Sequence, residues 1–289
     1  ESQAMLGQLN GFFRIVEQHD PVGHLRSVHS SHTMYDYSRP WVTHASLQTS
    51  DMNGGVRFRK KYHKPVVYDE CKYEGNIPQG WGHLTGREMT QRFWLGTMSG
   101  CYVGHGETYK DPHDILWWSK GGVLHGQSPK RIQWLKDFMA KAPPFHELQP
   151  LGDDKGHFIL AIPGQYYLLY CLGGTAQSIQ LTGKTPYKVD AIDPWEMTIT
   201  PVGTAQPGEF KTAAPKTDVV YRFVPYGPGE KLRPEAKATA SVTEGVAPLT
   251  VKFDTASPHL VRWDFGEGAT ATNAAALHTF EKPGLYPVT

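Results

Sequence analysis

The chain has 289 residues, more than one hydrophobic core usually serves, so two or three domains are expected. Hydrophobic residues make up 39% and charged residues 20%, and 29 Lys and Arg against 28 Asp and Glu leave a net charge of +1. This balance predicts no affinity for nucleic acid or for an anionic membrane surface. No apolar run approaches the ~20 residues that span a bilayer.

The three cysteines, Cys71, Cys101 and Cys171, form no dense disulfide framework, and their odd number leaves at least one free thiol. The chain begins with Glu1, and its last residues, "GLYPVT", stop within a predicted strand. We therefore expect it to be a fragment of a longer protein.

Predicted strands and helices alternate through the first part of the chain. Helical spacing of apolar residues predicts a helix over 1–19, and Thr85 with Glu88 three residues later is a capping box that opens another. Ser128-Pro129 is typical of a helix start, with Ser128 as the N-cap. In chain order the elements are helix 1–19, strands 24–31 and 40–48, helix 54–64, strand 65–70, helix 84–100, strand 101–107 and helix 128–143.

Each of these strands is apolar at its start and ends in polar residues, among them His, Gln, Asp or Glu. Parallel strands that deliver side chains to one carboxyl-terminal rim give this pattern in a (β/α)₈ barrel of the TIM type. Four units are half of such a barrel. A doubly wound open sheet would alternate in the same way, but no Gly-rich phosphate loop follows any strand. The pattern therefore favours an α/β half-barrel over residues 1–144.

The rest of the chain is predicted to be all-β. Short alternating segments punctuated by turn residues indicate an antiparallel β-sandwich over 145–227. Residues 228–237 have the composition of a linker, and 238–289 again alternate as short strands. In this last part "EGVAPLTVKFDTAS", "WDFGEG" and "HTFEKPGLYPVT" resemble a polycystic-kidney-disease (PKD) type immunoglobulin-like module without its final strand. We expect Trp263 to lie in its core.

Residues 1–226 resemble the carboxyl-terminal half of an apiosidase-like glycoside hydrolase barrel followed by its β-sandwich. The stretches that carry this resemblance are "YDYSRPWVTHASLQ", "KPVVYDECKYEGN", "RFWLGTMSGCYVGHGETY" and "LWWSKGGVLHGQSPKRIQWLK". The resemblance implies a retaining hydrolase that needs no cofactor and acts on a plant or algal polysaccharide. It also implies a secreted, periplasmic or cell-surface location.

The same resemblance places the catalytic nucleophile at Glu70, at the end of the seventh barrel strand. The proton donor of such barrels follows the fourth strand, so it is expected upstream of residue 1. Strand alternation predicts that Asp69 points away from Glu70 and is structural. Glu74 is expected in the following loop, in contact with sugar hydroxyls or bracing the loop. Glu107 is left open between a substrate contact and a structural residue.

Further substrate contacts are predicted from polar and aromatic side chains near the strand ends. Tyr73 is a predicted hydrogen-bond donor, and one of the adjacent Trp117 and Trp118 is expected to face the site. The full set of predicted substrate-binding residues is His29, Tyr35, His44, Gln48, Tyr73, Glu74, Trp81, His105, Glu107 and Trp117.

Other chemistries have less support. His24, His29 and His32 fit no metal-ligand spacing, so no metal site is predicted. No G-x-S-x-G elbow is present, and Cys71 is expected to be buried beside Glu70. Two other functions stay open: a non-catalytic carbohydrate-binding or adhesion protein on a decayed barrel, and a structural spacer that presents modules to a partner.

Overall fold

The computed structural model describes residues 3–31, 34–116, 120, 122–153, 155–231, 238–255 and 262–289, with side chains from residue 7 onward. The chain divides into two compact units, Glu1–Gly227 and Pro228–Thr289. Within the described ranges, no helix combines the length and the apolar character that crossing a bilayer requires. Trp117 and Trp118, and most of the predicted linker, lie outside the described residues.

The first unit begins with a four-stranded parallel sheet whose spatial order, β1-β2-β3-β5, follows the chain order. A separate short parallel pair joins β4 to β6. The elements of this part are α1 (Gln3–His19), β1 (His29–Ser30), β2 (Ala45–Gln48), a 3-10 helix (Met52–Gly54), α2 (Gly55–Tyr62), β3 (Val66–Glu70), β4 (Glu74–Gly75), α3 (Gly86–Met98), β5 (Tyr102–Val103), β6 (Glu107–Thr108) and α4 (Ser128–Met139).

The predicted strand 101–107 is divided in two by glycines. The Gly104 N–H donates to the Tyr68 carbonyl at 2.7 Å, and a Cβ at Gly104 would stand 2.7 Å from the Asp69 carbonyl oxygen. The backbone therefore passes too close to β3 for any side chain at this position. Beyond this point the chain leaves the four-stranded sheet, and Glu107 pairs in β6 with β4 instead.

The helices match their predicted positions, but only one of the two predicted N-caps is present. The capping box of α3 is confirmed: the Thr85 side chain accepts from the Glu88 N–H, and the Glu88 side chain accepts from the Thr85 N–H. Helix α4 begins at Ser128, and Gln127 at its N-cap makes no side-chain cap hydrogen bond. Ser128 is therefore not the N-cap that the local sequence predicts.

A six-stranded antiparallel sheet of order β12-β11-β14-β9-β8-β7 completes the first unit, with a second antiparallel pair, β10 and β13. One face of the sheet joins the core of α3 and α4, where Trp94 packs against Phe138 and Tyr170. The other face forms a second core with β10 and β13. The strands are β7 (Gln149–Pro150), β8 (Phe158–Ile162), β9 (Tyr166–Cys171), β10 (Ser178–Leu181), β11 (Tyr187–Asp193), β12 (Thr198–Ala205), β13 (Gly208–Lys211) and β14 (Val219–Pro225).

The α/β part and the antiparallel sheet thus share one core. The antiparallel pairing of residues 149–225 agrees with the predicted all-β character, while the sandwich arrangement stays a prediction.

The second unit has its own small core around Trp263, which is buried as predicted. Its strands form a three-stranded antiparallel sheet, β15-β16-β19, and an antiparallel pair, β17-β18. They are β15 (Ala238–Ala240), β16 (Leu249–Thr255), β17 (Trp263–Asp264), β18 (Thr270–Ala271) and β19 (Ala275–Phe280).

Candidate active site

Glu70 ends β3 at the carboxyl-terminal edge of the parallel sheet. Gln48, the last residue of β2, donates an Nε2–H···Oε2 hydrogen bond of 2.8 Å to its carboxylate. The Tyr73 hydroxyl donates a second hydrogen bond. The Glu70 side chain nevertheless keeps 34% of its surface exposed. The carboxylate is therefore held by two side-chain donors while a ligand can still reach it.

Asp69 reaches the same histidine as Glu70, so the prediction that strand alternation turns it away is wrong. The pairing of β3 with β2 shifts register before Gln48, which pairs with Glu70 and leaves Asp69 as the extra residue of a bulge. A bulge interrupts strict alternation and redirects the side chain. The Asp69 carboxylate accepts hydrogen bonds from the Ser46 hydroxyl and from the Glu70 N–H, and it faces His29.

His29, in β1, connects the two carboxylates. Its Nδ1 lies 2.9 Å from Asp69 Oδ2, and its Nε2 lies 3.0 Å from Gln48 Oε1 and 3.6 Å from Glu70 Oε1. Burial lowers the pKa of His29, but the hydrogen bonds with Asp69 and Gln48 and the charges of the two carboxylates raise it by more. The net result is a pKa above the ordinary value for histidine.

Tyr73, which donates to Glu70, contacts a second aromatic ring. Tyr73 and Trp81 meet edge to face with ring centroids 5.8 Å apart, and Trp81 is 46% exposed. Burial, followed by the hydrogen bond to Glu70, raises the pKa of Tyr73, so its hydroxyl stays protonated as a donor. A Cβ at Gly106 would lie 2.2 Å from the Tyr73 ring, so only glycine allows this placement. The exposed indole offers a flat apolar surface next to Tyr73.

Glu74 lies four residues after Glu70 but is fully buried. Its Oε1 accepts from the Gln127 N–H at 2.7 Å and from the Tyr109 hydroxyl at 3.0 Å. Its Oε2 accepts from the N–H and the hydroxyl of Ser128, at 3.0 and 2.5 Å. These backbone N–H groups belong to the start of α4, which has no internal partner for them. The predicted substrate contact is therefore wrong for Glu74, which is a buried helix cap.

Glu107 supports the loop that leads into α4. Its Oε2 accepts from the His125 N–H at 2.7 Å, and its Oε1 accepts from the Gly126 N–H at 3.0 Å. A Cβ at Gly126 would stand 2.4 Å from Glu74 Oε2 and 2.6 Å from Glu107 Oε1. The Glu107 oxygens face this loop, and only 8% of the side chain is exposed. Of the two predicted roles, a substrate contact or a structural residue, these contacts favour the structural one.

Glu74, His105 and Glu107 offer possible metal-ligand atoms within 4.8 Å of one another. His105 Nε2 lies 3.2 Å from the Ser128 Oγ, and burial lowers the His105 pKa although the two glutamates raise it. The carboxylate oxygens already accept hydrogen bonds from N–H and O–H groups, which a cation would have to displace. The start of α4 accounts for this cluster without a metal. A substrate contact of His105 stays a prediction.

Tyr35 is a core residue, and its predicted substrate contact is wrong. Its hydroxyl donates to Asn10 Oδ1 at 2.6 Å and accepts from Trp41 Nε1–H at 3.0 Å. Its ring stacks on Phe13 with centroids 5.7 Å apart. With 4% of its surface exposed, Tyr35 has no free face for a ligand.

His44 and Trp117 remain predictions. His44 is half-buried before β2 with its Nδ1 3.0 Å from the Thr43 hydroxyl oxygen, and burial lowers its pKa by more than the charge of Asp69 raises it. Trp117 lies outside the described residues. Cys71 is buried as predicted, and burial raises the pKa of its thiol to about 11, which disfavours the thiolate of a nucleophile.

The structure therefore gathers His29, Gln48 and Tyr73 around Glu70, with Trp81 next to Tyr73, and adds Asp69 and Ser46, which alternation does not predict. The sequence signal for Asp69 is its adjacency to Glu70 at the end of an apolar strand. No local signal marks Ser46, because its contact with Asp69 depends on the pairing of two strands.

Comparison with family models confirms the PKD module. A PKD domain matches residues 232–289, and a domain of unknown function, DUF5605, matches residues 156–220. No curated protein matches the chain.

Three solved structures similar to the chain are glycoside hydrolases. A candidate glycoside hydrolase from Bacteroides vulgatus ATCC 8482 is 28% identical with a TM-score of 0.65, over 76% of this chain and 49% of that one. A second glycoside hydrolase is 16% identical with a TM-score of 0.60, over 75% and 60% of the two chains. A family 5 glycoside hydrolase, also from Bacteroides vulgatus ATCC 8482, is 17% identical with a TM-score of 0.59, over 75% and 59%. The chain thus spans about half to three-fifths of the length of these relatives.

Proposed function

We propose that this chain carries the nucleophile side of a retaining glycoside hydrolase active site, with Glu70 as the nucleophile. The observation that carries the proposal is the setting of Glu70: a partly exposed strand-end carboxylate, held by Gln48 and Tyr73, with the exposed Trp81 in contact with Tyr73. The similarity to glycoside hydrolase structures supports the same reaction class. The substrate is proposed to be a plant or algal polysaccharide, degraded outside the cell or at its surface.

The order of the parallel strands supports a barrel. A doubly wound sheet reverses its strand order at a switch point, whereas β1, β2, β3 and β5 follow one another in space as they do in the chain. We propose that these four strands are the second half of a (β/α)₈ barrel. The carboxyl group that protonates the leaving oxygen then comes from a part of the barrel beyond the four described strands.

In the proposed reaction a Glu70 oxygen attacks the anomeric carbon while the bond to the leaving oxygen breaks. The glycosyl ester that forms is then hydrolysed by water, which restores the carboxylate. Retaining enzymes need two carboxyl groups about 5–5.5 Å apart for these two steps. Gln48 and Tyr73 would keep Glu70 in one rotamer, and the exposed face of Trp81 would support a sugar ring.

The test is covalent trapping of Glu70 with a 2-deoxy-2-fluoro glycoside that carries an activated aryl leaving group. Such a leaving group departs without protonation, so the trap reports on the nucleophile alone. We expect a stoichiometric glycosyl adduct on the peptide that contains Glu70. Glu70→Gln should abolish the adduct and lower turnover of activated aryl glycosides on the order of 10³-fold or more.

Asp114→Asn is the matched control, because Asp114 is an exposed carboxylate that contacts Lys110 and lies outside the proposed site. It should label and turn over like the unmodified chain. Unchanged turnover in both Glu70→Gln and Glu70→Ala would overturn the nucleophile assignment. Sugar binding without turnover or labelling would favour a non-catalytic carbohydrate-binding protein, for which the exposed Trp81 is the supporting observation.

A further inference from the structure

Both ring nitrogens of His29 face hydrogen-bond acceptors. Nδ1 faces Asp69 Oδ2 at 2.9 Å, and Nε2 faces Gln48 Oε1 at 3.0 Å with Glu70 Oε1 behind it at 3.6 Å. An ionised carboxylate can only accept, so Nδ1 must carry a proton to satisfy Asp69. Whether Nε2 is also protonated then depends on whether the oxygen or the nitrogen of the Gln48 amide faces it.

The orientation of Gln48 is fixed by its other partner. Its amide nitrogen donates to Glu70 Oε2 at 2.8 Å, which leaves the amide oxygen toward His29. The opposite orientation would set the amide oxygen against a carboxylate oxygen, two acceptors in contact. Gln48 therefore presents an acceptor to His29, and Nε2 must also be a donor.

We propose that His29 is an imidazolium that bridges Asp69 and Glu70 and acts as a positioning residue for Glu70. The positioning role rests on the proposed nucleophile, whereas the charge of His29 follows from its contacts alone. Asp69, through its hydrogen bonds from Ser46 and from the Glu70 backbone, holds the ring in place. The three side chains form one unit of net charge −1 at the end of β3.

The charges near His29 agree with this assignment. Asp69 and Glu70, both on β3, are the titratable groups whose charges act on the His29 ring, and both favour its protonated form. Gln48 on β2 is neutral. The charge of Asp69 also raises the pKa of His44, which precedes β2, but burial lowers that pKa by more, which favours neutral His44. The cation between the two carboxylates offsets the repulsion that two adjacent like charges would otherwise exert.

The bridge has a chemical use in a retaining reaction. When Glu70 attacks, its carboxylate becomes an ester and loses its negative charge. When water later cleaves that ester at the anomeric carbon, the carboxylate leaves and its charge returns beside the imidazolium. A positive charge already fixed near Glu70 stabilises this returning charge without rearrangement. Deprotonation of His29 would remove that stabilisation.

The charge can be measured by NMR on the full ¹⁵N-labelled chain between pH 5 and 9. The chain has 14 histidines, so the His29 ring signals are assigned by their disappearance in His29→Gln. We expect both ring nitrogens of His29 to stay protonated above pH ~6.5, where an unperturbed histidine loses its proton. Asp69→Asn should move this titration to lower pH. A titration of His29 at or below the ordinary value, or one that Asp69→Asn leaves in place, would overturn the proposal.

Turnover of an activated aryl glycoside tests the role of the His29 charge separately from the assignment of Glu70 as the nucleophile. With an activated leaving group kcat reports cleavage of the glycosyl ester, the step in which the Glu70 charge returns. The alkaline limb of kcat should therefore move to lower pH in Asp69→Asn, but not in Asp114→Asn. If Glu70→Gln keeps full turnover while His29 titrates high, the proposed nucleophile fails and the charged bridge stands. If Glu70→Gln is inactive and His29 titrates normally, the bridge fails and the nucleophile stands.

Discussion

Glu70 and Glu74 are four residues apart in one acidic segment, yet they have opposite environments. Glu70 is bound by side chains, Gln48 and Tyr73, and keeps an exposed face. Glu74 is fully buried, and two of its donors are backbone N–H groups at the start of α4. A carboxylate that caps a buried helix is unavailable to a ligand, whereas one held at a strand end by side chains stays available.

The difference shows how an acidic cluster should be divided into structural and functional members. Backbone N–H groups at a helix start need an acceptor in every folded molecule, so Glu74 and Glu107 are required by the fold. Side-chain donors such as Tyr73 impose no such need. We therefore expect substitutions around Glu74 to lower stability and substitutions around Glu70 to lower activity.

The largest expected effect on stability is that of Glu74→Ala. Its removal leaves the Gln127 and Ser128 N–H groups and the Tyr109 hydroxyl without their buried acceptor, which should lower the free energy of unfolding by about 3–5 kcal/mol. Glu70→Ala, measured in parallel by urea unfolding, should change it by less than about 1 kcal/mol. Equal losses in the two variants would contradict the division between cap and site.

A smaller effect is expected from removing one hydroxyl at each carboxylate. Tyr109→Phe deletes one of the donors to Glu74 and should lower the unfolding free energy by about 1.5 kcal/mol. Tyr73→Phe deletes a donor to the more exposed Glu70 and should cost under about 0.5 kcal/mol of stability. In the proposed hydrolase it should lower turnover about tenfold, which corresponds to ~1.4 kcal/mol in the barrier. A large stability loss in Tyr73→Phe with normal turnover would reverse the comparison.

The distance in sequence between hydrogen-bond partners explains which helix cap the sequence predicts. The capping box of α3 joins Thr85 to Glu88, three residues apart, and the sequence predicts it correctly. The cap of α4 comes from Glu74, 54 residues before Ser128, and no pattern around Ser128 contains it. The local sequence pattern therefore predicts Ser128 as the N-cap. In the structure the Glu74 carboxylate of β4 accepts the hydrogen bonds at the start of α4 instead.

Strand alternation fails for a related reason. It predicts the apolar start and polar end of β3, and Glu70 at the sheet edge, because these depend on the strand itself. It fails at Asp69 because the register shift depends on how β3 pairs with β2. His29, Gln48 and Tyr73 could be proposed from their positions near strand ends, but their hydrogen bonds require the folded sheet.

The smallest expected effect, and the one most specific to the comparison, is a difference in pH dependence between the histidines beside the two carboxylates. Burial lowers the pKa of His105, so it should cost stability as pH falls below ~6.5, where the unfolded chain takes up a proton first. Although burial also lowers the pKa of His29, its contacts with Asp69, Gln48 and Glu70 raise it by more. The stability from His29 is therefore complete below ~6.5 and is lost as pH rises through its folded pKa.

Unfolding free energies of His29→Gln and His105→Gln, each measured against the unmodified chain from pH 5 to 9, should therefore diverge at opposite ends of the range. Comparing each variant with the unmodified chain cancels the contribution of the other histidines. The unmodified chain should lose stability at alkaline pH as His29 loses its proton, and His29→Gln should not show this loss. The unmodified chain should also lose stability at acidic pH because His105 is hard to protonate in the folded state, and His105→Gln should not show that loss. Differences of the same sign with pH in both variants would contradict the expected contrast. At His29 hydrogen bonds and charges outweigh burial, whereas at His105 burial outweighs the charges of the two glutamates.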